Sequence, residues 1–252
     1  MELKHQVGAG DRSPRIPDDR RIYAVGDIHG RIDLLNKLHA LIVADAETAQ
    51  NLRRTVVYLG DSVDRGPGAF DVLDVLINEP LAGFEAVHLK GNHEDMMLKF
   101  LAGPPEPLWI GNGGITTLDS YGVEPPTALY LPADLETFRR RLQRALPSDH
   151  LDFLQGLRLC HTEGDYFFVH AGVRPGVPLE AQVPYELMWI RDRFLLSDAD
   201  FGKRVVHGHT PTLVPEVFEN RIGIDTGAFH TGVLTCLVLE GSEQRLLQTG
   251  RR

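Results

Sequence analysis

Apolar runs and amphipathic stretches alternate along the first half of the chain. Three short apolar runs predict buried strands, and each is followed by a stretch in which apolar residues recur at helical spacing. The first helical stretch places Leu34, Leu35, Leu38, Leu41 and Ile42 on one face. The predicted strands cover residues 21–25, 55–59 and 85–89, and the predicted helices cover residues 32–47, 70–77 and 94–101. This alternation predicts an α/β fold with parallel strands and right-handed crossovers.

The pattern changes at the proline-rich segment 103–107. A glycine pair and a run of helical periodicity follow it, so we expect a helical cap insert at about 103–157 rather than a separate domain. The later part of the chain predicts strands at 157–161, 166–170, 203–206, 221–224 and 233–239, with a hairpin turn at 163–165. Residues 1–19 are polar and without period, which indicates a mobile N-terminal leader. Residues 20–252 are interpreted as a single domain.

Composition and charge narrow the class of protein. Hydrophobic residues make up 42% and charged residues 24% of the chain, which is typical of soluble globular proteins. The formal net charge of -9 argues against a nucleic-acid partner. No stretch approaches the roughly 20 apolar residues of a membrane span, so no membrane partner is expected. The N-terminus shows no signal-peptide pattern and the two cysteines suit reduced thiols, so we expect a cytoplasmic protein.

Polar residues able to bind a metal follow each of the first three predicted strands. The strand ends carry Gly-Asp-Ile-His-Gly at 26–30, Gly-Asp-Ser-Val-Asp-Arg-Gly-Pro at 60–67 and Gly-Asn-His-Glu at 91–94. Because the carboxyl ends of parallel strands meet at one edge of a sheet, these motifs are expected to converge. Their spacing of 34 and 31 residues, from Asp27 to Asp61 and from Asp61 to Asn92, is about one strand–helix repeat.

The candidate ligands offer both oxygen and nitrogen atoms. Asp27, His29 and Asp61 supply two carboxylates and an imidazole, and the candidates for a second ion are Asn92, His170 and His209. If Asp61 bridges, each of two divalent ions has a mixed shell that suits Mn²⁺, Fe or Zn²⁺ better than Ca²⁺. Strand periodicity alone does not separate His207 from His209, because residues two apart face the same way.

These motifs, in this order, resemble the phosphoprotein phosphatase family of calcineurin-like metallophosphoesterases. The resemblance runs over residues 21–239 and includes Val-His-Ala-Gly at 169–172 and Gly-His-Thr at 208–210. The segments 109–114, 188–191 and 224–227 resemble its bacterial and bacteriophage lambda-type branch. The family resemblance implies a four-layer αββα sandwich in which two mixed β-sheets are flanked by helices.

The resemblance also implies a role for each motif residue. A first metal ion would be held by Asp27, His29 and Asp61, and a second by Asp61, Asn92, His170 and His209, with Mn²⁺ as the expected metal. His93 would act as general acid and Asp64 would orient its ring. The substrate phosphate would contact Arg65, Arg191 and Asn92. The residues left without an assigned role are His207, Arg174, Arg193, Asp225 and His230, for which structural or surface roles are preferred.

The function that the resemblance implies is a metal-dependent serine/threonine protein phosphatase, in which a hydroxide bridging the metals attacks phosphorus directly. Its substrate would be a phosphoprotein or phosphopeptide, and no site for a regulatory subunit is evident. One alternative is a dinucleoside tetraphosphate hydrolase, but such relatives typically lack the residue equivalent to Asp64 and carry Asp where this chain has Glu94. The other alternative is a non-catalytic binding module on the same fold.

Overall fold

Two five-stranded mixed sheets form the centre of the protein in a computed structural model that describes residues 13–124 and 132–250. The strands are β1 (Arg20–Val25), β2 (Arg53–Tyr58), β3 (Phe84–His88), β4 (Cys160–Glu163), β5 (Tyr166–Val169), β6 (Arg204–His207), β7 (Glu216–Val217), β8 (Arg221–Gly223), β9 (Thr235–Glu240) and β10 (Glu243–Gln248). The α-helices are α1 (Ile32–Ala46), α2 (Ala69–Asn78), α3 (Asn92–Ala102), α4 (Pro107–Trp109), α5 (Ile115–Ser120), α6 (Pro132–Ala145), α7 (Ser148–Gly156), α8 (Pro184–Trp189), α9 (Asp192–Leu195) and α10 (Ala228–Thr231).

The first sheet has the strand order β10-β9-β1-β2-β3. β1, β2 and β3 are parallel, whereas β9 and β10 pair antiparallel at the other side. Side chains alternate along β1, because successive residues of a strand point to opposite faces. Tyr23 and Val25 pack with α1, whereas Ile22 and Ala24 pack against the second sheet. The first sheet therefore buries one face under a helix and the other under a sheet.

The second sheet has the order β4-β5-β6-β8-β7, with β5, β6 and β8 parallel. Phe168 and Val206 face the first sheet, and Phe167 and Val205 pack on the other side with Phe194 of α9. Helices thus flank both sheets, and the predicted four-layer arrangement is confirmed.

The segment predicted as a helical cap is largely helical where the structure describes it, with non-helical stretches at 103–106 and 121–124, and residues 125–131 lie outside the described part. Two short helices, α4 and α5, are joined by a kinked turn at Ile110–Gly114, in which Gly113 is not helical, and α6 and α7 follow. Their apolar residues share one cluster with Phe100 and Met97 of α3. This cluster fixes the segment against the helix that begins at Asn92.

The structure departs from the sequence prediction in three places. β4 begins at Cys160 rather than at residue 157, because the backbone of Arg158 instead pairs with His88 and Lys90 at the end of β3. A two-residue turn at Gly164 and Asp165 then pairs Glu163 with Tyr166. The edge strands β7 and β10 were not predicted. Of the predicted leader, residues 1–12 lie outside the described residues, but Ile16 is buried and its N–H donates to Gly241 O at 3.0 Å. That part of the leader is held against the body of the protein.

Candidate metal centre

The parallel strands of both sheets deliver their polar residues to the same region. In the first sheet, β1 leads to Asp27 and His29, β2 leads to Asp61, and β3 leads to Asn92. In the second sheet, β5 leads to His170 and β6 leads to His209. The side chains of all six predicted metal ligands are buried: Asp27, His29, Asp61, Asn92, His170 and His209. Two glycines make room for them, since a Cβ at Gly91 would collide with the Asp61 carboxylate and one at Gly208 with that of Asp27.

Left-handed backbone conformations concentrate at this region. Within the described ranges, the non-glycine residues with positive φ are His29, Asp61, Asp64, Arg65 and His209, with φ between 48° and 69°. Such conformations are unfavourable for residues with a Cβ and persist where the surroundings enforce them, often at functional sites. Here they turn the chain sharply after β1, β2 and β6, where His29, Asp61 and His209 follow these strands.

Asp61 lies between two groups of possible ligand atoms. His29, Asp61 and His93 form one group and Asp61, His170 and His209 form the other, with the ligand atoms of each group within 4.8 Å of one another. His29 Nε2 lies 3.5 Å from Asp61 Oδ2, and His170 Nε2 lies 3.4 Å from Asp61 Oδ1. Each oxygen of this carboxylate therefore faces a different group, which is the arrangement that a bridging ligand requires.

Asp27 and Asn92 adjoin these groups in different ways. Asn92 Oδ1 lies 3.0 Å from His170 Nε2, which places the amide beside the second group. The Asp27 carboxylate instead accepts the backbone N–H of His209, at 3.0 Å and 3.2 Å to its two oxygens. The first group contains His93 and not the predicted ligand Asp27, so the role of Asp27 as a ligand stays a prediction.

The ring nitrogens of these histidines are arranged so that one of them can bind a divalent metal ion. His29 Nδ1 lies 2.9 Å from Val63 O and His170 Nδ1 lies 2.9 Å from Leu59 O, so each ring can donate its N–H to a carbonyl and keep the Nε2 lone pair for an ion. His209 Nε2 is buried and has no hydrogen-bond partner among the described residues. A buried acceptor without a partner is costly, and a metal ion would satisfy it.

Burial favours the neutral form of these imidazoles, and the buried carboxylates lie close enough to repel one another. It lowers the pKa of His170 to about 4 and, with the charges of His93 and Arg65, holds the pKa of His29 well below its ordinary value. Burial and the charges of Asp225 and Asp61 raise the pKa of Asp27 well above its usual range. Cations would relieve this repulsion, so the residues present fit divalent metals with mixed nitrogen and oxygen shells.

His93 and Asp64 form a buried pair beside the first group. His93 Nδ1 lies 2.7 Å from Asp64 Oδ2, and its other nitrogen, Nε2, lies 3.8 Å from Asp61 Oδ2. Burial acts to lower the pKa of His93, but the negative charge of Asp61 and the hydrogen bond to Asp64 outweigh it and raise that pKa. The pair thus presents an Nε2 position that can carry a proton at the edge of the site.

Arg65 lies over the same edge. Its Nη2 lies 3.2 Å from His93 Nε2 and donates to it when that nitrogen is unprotonated, and its guanidinium carbon is 4.9 Å from the ring centroid of Phe229. Arg191 is exposed, with Nη1 3.3 Å from Thr210 Oγ1, two residues after Gly208 in the loop that carries His209. Both guanidinium groups are therefore available near the candidate metal ligands, and phosphate binding by them stays a prediction.

The structure distinguishes the remaining candidates. His207 lies against Phe194, 5.0 Å between ring centroids, and is not in either group of ligand atoms found among the described residues, whereas His209 is. Arg174 lies 3.6 Å from Glu186, and Arg193 and His230 are exposed. None of these three is placed in either group.

Asp225 was expected to have a structural role, but it lies beside the candidate metal ligands. It follows β8, the third parallel strand of the second sheet, just as His170 and His209 follow β5 and β6. The carboxyl is buried, accepts the N–H of Gly227 at 2.8 Å, and contributes to the raised pKa of Asp27. Burial also raises its own pKa. The centre therefore has a third acidic residue beside Asp27 and Asp61.

Sequence reasoning missed how Glu94 is used. The side chain is buried, and its carboxylate accepts backbone N–H groups of Gly91 at 2.8 Å, Asp61 at 3.0 Å and Ser62 at 2.6 Å. It therefore joins the second and third motifs. The acid three residues after Gly91 was a signal for a helix N-terminus, but the contacts across to Asp61 depend on the tertiary fold.

Comparisons with known proteins agree with this geometry. The family model described as calcineurin-like phosphoesterase matches residues 20–230. Serine/threonine-protein phosphatase 2 of Escherichia coli (strain K12) is 29% identical over 225 residues, covering 86% of this chain and 91% of that protein. The asymmetrical bis(5'-nucleosyl)-tetraphosphatase PrpE of Anoxybacillus flavithermus is also 29% identical, over 234 residues that cover 84% of this chain and 88% of that protein.

A solved structure of a cold-active protein tyrosine phosphatase matches with a TM-score of 0.56 at 17% identity, covering 92% of this chain and 81% of that one. At this identity the match supports the fold alone. The two curated relatives carry different activities at the same identity, so overall similarity does not choose between their substrates.

Proposed function

The chain belongs to the calcineurin-like phosphoesterase family, and on that premise we propose that it is a serine/threonine protein phosphatase that hydrolyses phosphate monoesters of alcohols. The observation that carries this proposal is the pair formed by His93 Nδ1 and Asp64 Oδ2 at 2.7 Å. The alternative substrate, a dinucleoside tetraphosphate, is supported by the names of several curated relatives.

The two substrates differ in what leaves. A serine or threonine alkoxide is strongly basic and needs a proton as its bond to phosphorus breaks. The leaving group of a phosphoanhydride is itself a phosphate, whose last proton has a pKa of only about 6, so it can leave without help. A buried acid–histidine pair is useful mainly for the first kind of leaving group. The pair therefore favours a phosphate monoester.

Different residues would perform different parts of the proposed reaction. Divalent ions bound by the six predicted ligands would supply positive charge for the phosphoryl oxygens and activate a water as nucleophile. Asp64 accepts the Nδ1–H of His93, which leaves Nε2 to carry the proton that the leaving oxygen receives. Arg65 and Arg191 each offer a planar guanidinium that can bind two phosphoryl oxygens. We propose Mn²⁺ as the metal, with Fe or Zn²⁺ as alternatives of the same ligand preference.

The test compares substrates on the same protein. The protein is stripped of metal with a chelator, Mn²⁺ is added back, and phosphate release is measured from phosphoserine and phosphothreonine peptides. Diadenosine tetraphosphate is assayed in parallel. We expect metal-dependent release from the peptides with little cleavage of the dinucleotide. Cleavage of the dinucleotide alone would contradict the proposed substrate, and absence of both activities with metal bound would favour a binding module.

A further inference from the structure

The carboxylate of Asp64 is enclosed by residues of the cap segment, which lie far from it in sequence. Trp109 Nε1 lies 2.9 Å from Asp64 Oδ2 and 3.1 Å from Oδ1, and Thr117 Oγ1 lies 2.6 Å from Oδ1. Thr117 Oγ1 also accepts the backbone N–H of Asp64 at 2.9 Å. The exposed fraction is 0% for Asp64, 1% for Trp109 and 0% for Thr117, so water does not compete for these bonds.

We propose that Trp109 and Thr117 are positioning residues for proton transfer by His93. Trp109 donates to both oxygens of the Asp64 carboxylate and Thr117 donates to Oδ1, so that Oδ2 stays directed at His93 Nδ1. The inference rests on the proposed function, because it assumes that His93 protonates a leaving alcohol. It extends that function by making the cap segment part of the apparatus that orients the acid.

Hydrogen-bond requirements make this arrangement specific. The indole N–H of Trp109 is a donor without an acceptor function, and a buried donor needs a partner. The N–H is shared between the two oxygens of Asp64 rather than given to a cap carbonyl. An ionised carboxylate accepts from several donors at once, and these bonds are stronger than those between neutral groups. The bonds therefore restrict rotation of Asp64 while the cap stays packed.

The turn Ile110–Gly114 explains how Trp109 reaches Asp64. A Cβ at Gly114 would collide with the Trp109 ring, so glycine lets the chain fold back over the indole. Gly113 has φ 108° and its carbonyl accepts the N–H of Arg65 at 3.3 Å. The other side of the indole packs on Phe100, with ring centroids 4.8 Å apart. Trp109 thus contacts Asp64, and the turn that follows Trp109 contacts the next residue, Arg65.

The test separates proton donation from the rest of catalysis by changing the leaving group. Trp109→Phe removes the indole N–H and keeps an aromatic ring, and Thr117→Val removes the hydroxyl at similar shape. We expect kcat on a phosphoserine peptide to fall about 10–100-fold in each variant, because general acid catalysis contributes roughly 10²–10⁴-fold. On p-nitrophenyl phosphate, whose leaving group needs no proton, the fall should stay within about 3-fold.

Two control variants distinguish positioning from general loss of structure. Thr117→Ser keeps a hydroxyl and should restore most of the ratio of the two activities. Phe100→Leu disturbs the packing beneath Trp109 without removing a hydrogen bond to Asp64, and should change both activities by a similar factor. Thermal unfolding of each variant, measured with Mn²⁺ present, reports whether the fold is retained, and either Trp109→Phe or Thr117→Val is sufficient for the test.

The experiments distinguish a failure of the proposed function from a failure of the positioning role of Trp109 and Thr117. A wild-type protein that does not release phosphate from the peptide refutes the proposed function, and with it this inference, before any variant is made. A wild-type protein that does so, together with folded Trp109→Phe and Thr117→Val variants that slow both substrates equally or neither, overturns the role of Trp109 and Thr117 alone. A selective loss on the phosphoserine peptide supports it.

Discussion

The backbone N–H of Asp61 donates to the carboxylate of Glu94, 3.0 Å away across two different strand exits. The same carboxylate accepts the N–H of Ser62 at 2.6 Å and that of Gly91 at 2.8 Å. It thereby fixes the turn that presents the proposed bridging ligand Asp61 relative to the turn that presents Asn92. The positions of the candidate ligands Asp61 and Asn92 therefore depend on Glu94, which is not itself one of the candidate ligands.

Replacing Glu94 is therefore expected to loosen both turns. Glu94→Gln places an amide N–H against backbone donors and leaves buried N–H groups without an acceptor, which costs about 1–3 kcal/mol for each group. We expect the free energy of unfolding in urea to fall by about 2–4 kcal/mol and bound Mn²⁺ to decrease. Lys99→Ala, on the exposed side of the same helix, is the matched control and should change neither. Retention of full stability and full metal content would show that Glu94 is dispensable.

Asp225 is expected to destabilise the metal-free protein and to increase the stabilisation that bound Mn²⁺ provides. Asp225→Asn keeps an oxygen for the N–H of Gly227 but removes a buried charge that raises the pKa of Asp27. Without metal, the melting temperature should rise by about 2–4 °C for each kcal/mol of repulsion removed. The further rise on adding Mn²⁺ should be smaller than in the wild type, because less negative charge faces the ions.

Thermal unfolding with and without Mn²⁺ measures both effects. Asp198→Asn removes the same charge from an exposed position and should leave both temperatures close to those of the wild type. If Asp225 only caps its turn, Asp225→Asn will not stabilise the metal-free protein.

His39 is expected to make stability depend on pH. Burial lowers its pKa from 6.5 to about 4, and its Nε2 lies 2.8 Å from Tyr58 Oη. Below about pH 6.5 the unfolded chain binds a proton at His39 that the folded protein does not. The contribution of neutral His39 to the free energy of unfolding is therefore complete above about pH 6.5 and is lost as the pH falls toward 4.

The variant His39→Gln can still reach Tyr58 but does not titrate. Between about pH 6.5 and 4.5, the loss of unfolding free energy should be smaller than in the wild type by on the order of 2 kcal/mol. Urea unfolding of the metal-free proteins across this range measures it. His230→Gln, at an exposed position, serves as control and should keep the wild-type slope. An unchanged slope in His39→Gln would contradict the assignment.

Arg65 is expected to bind phosphate through the planar geometry of its guanidinium. Arg65→Lys keeps the positive charge but loses the paired donors and the contact with Phe229. The inhibition constant for inorganic phosphate should rise about 10-fold, equal to about 1.4 kcal/mol of binding. Product inhibition of phosphate release measures this constant, and Arg193→Lys, at an exposed position, is the control. Equal inhibition of Arg65→Lys and the wild type would remove Arg65 from the phosphate site.

Most residues of the candidate metal centre could be identified from the sequence because they come directly after predicted strands. Asp27, Asp61 and Asn92 each come shortly after an apolar run, and parallel strands bring such positions together. The two-sheet architecture came from the family resemblance rather than from the pattern, which predicted only that the first strands are parallel.

The parts that the sequence did not predict depend on contacts between distant residues. Nothing in the neighbours of Trp109 along the chain indicates that its indole N–H contacts Asp64. β10 was missed because its residues, Glu243–Gln248, alternate weakly and lie at a sheet edge. The left-handed conformation of Asp61 is likewise imposed by the fold, since aspartate does not by itself require it.

The most direct measurement of the account compares His93→Asn with the wild type on two leaving groups, after Mn²⁺ is restored to both. If His93 protonates the leaving alcohol, kcat on a phosphoserine peptide should fall by about 10²–10³-fold, while kcat on p-nitrophenyl phosphate falls by less than about 10-fold. Metal content determined on the same samples should be unchanged. Equal losses on the two substrates, with metal retained, would contradict the central claim that the pair of Asp64 and His93 serves to release an alcohol.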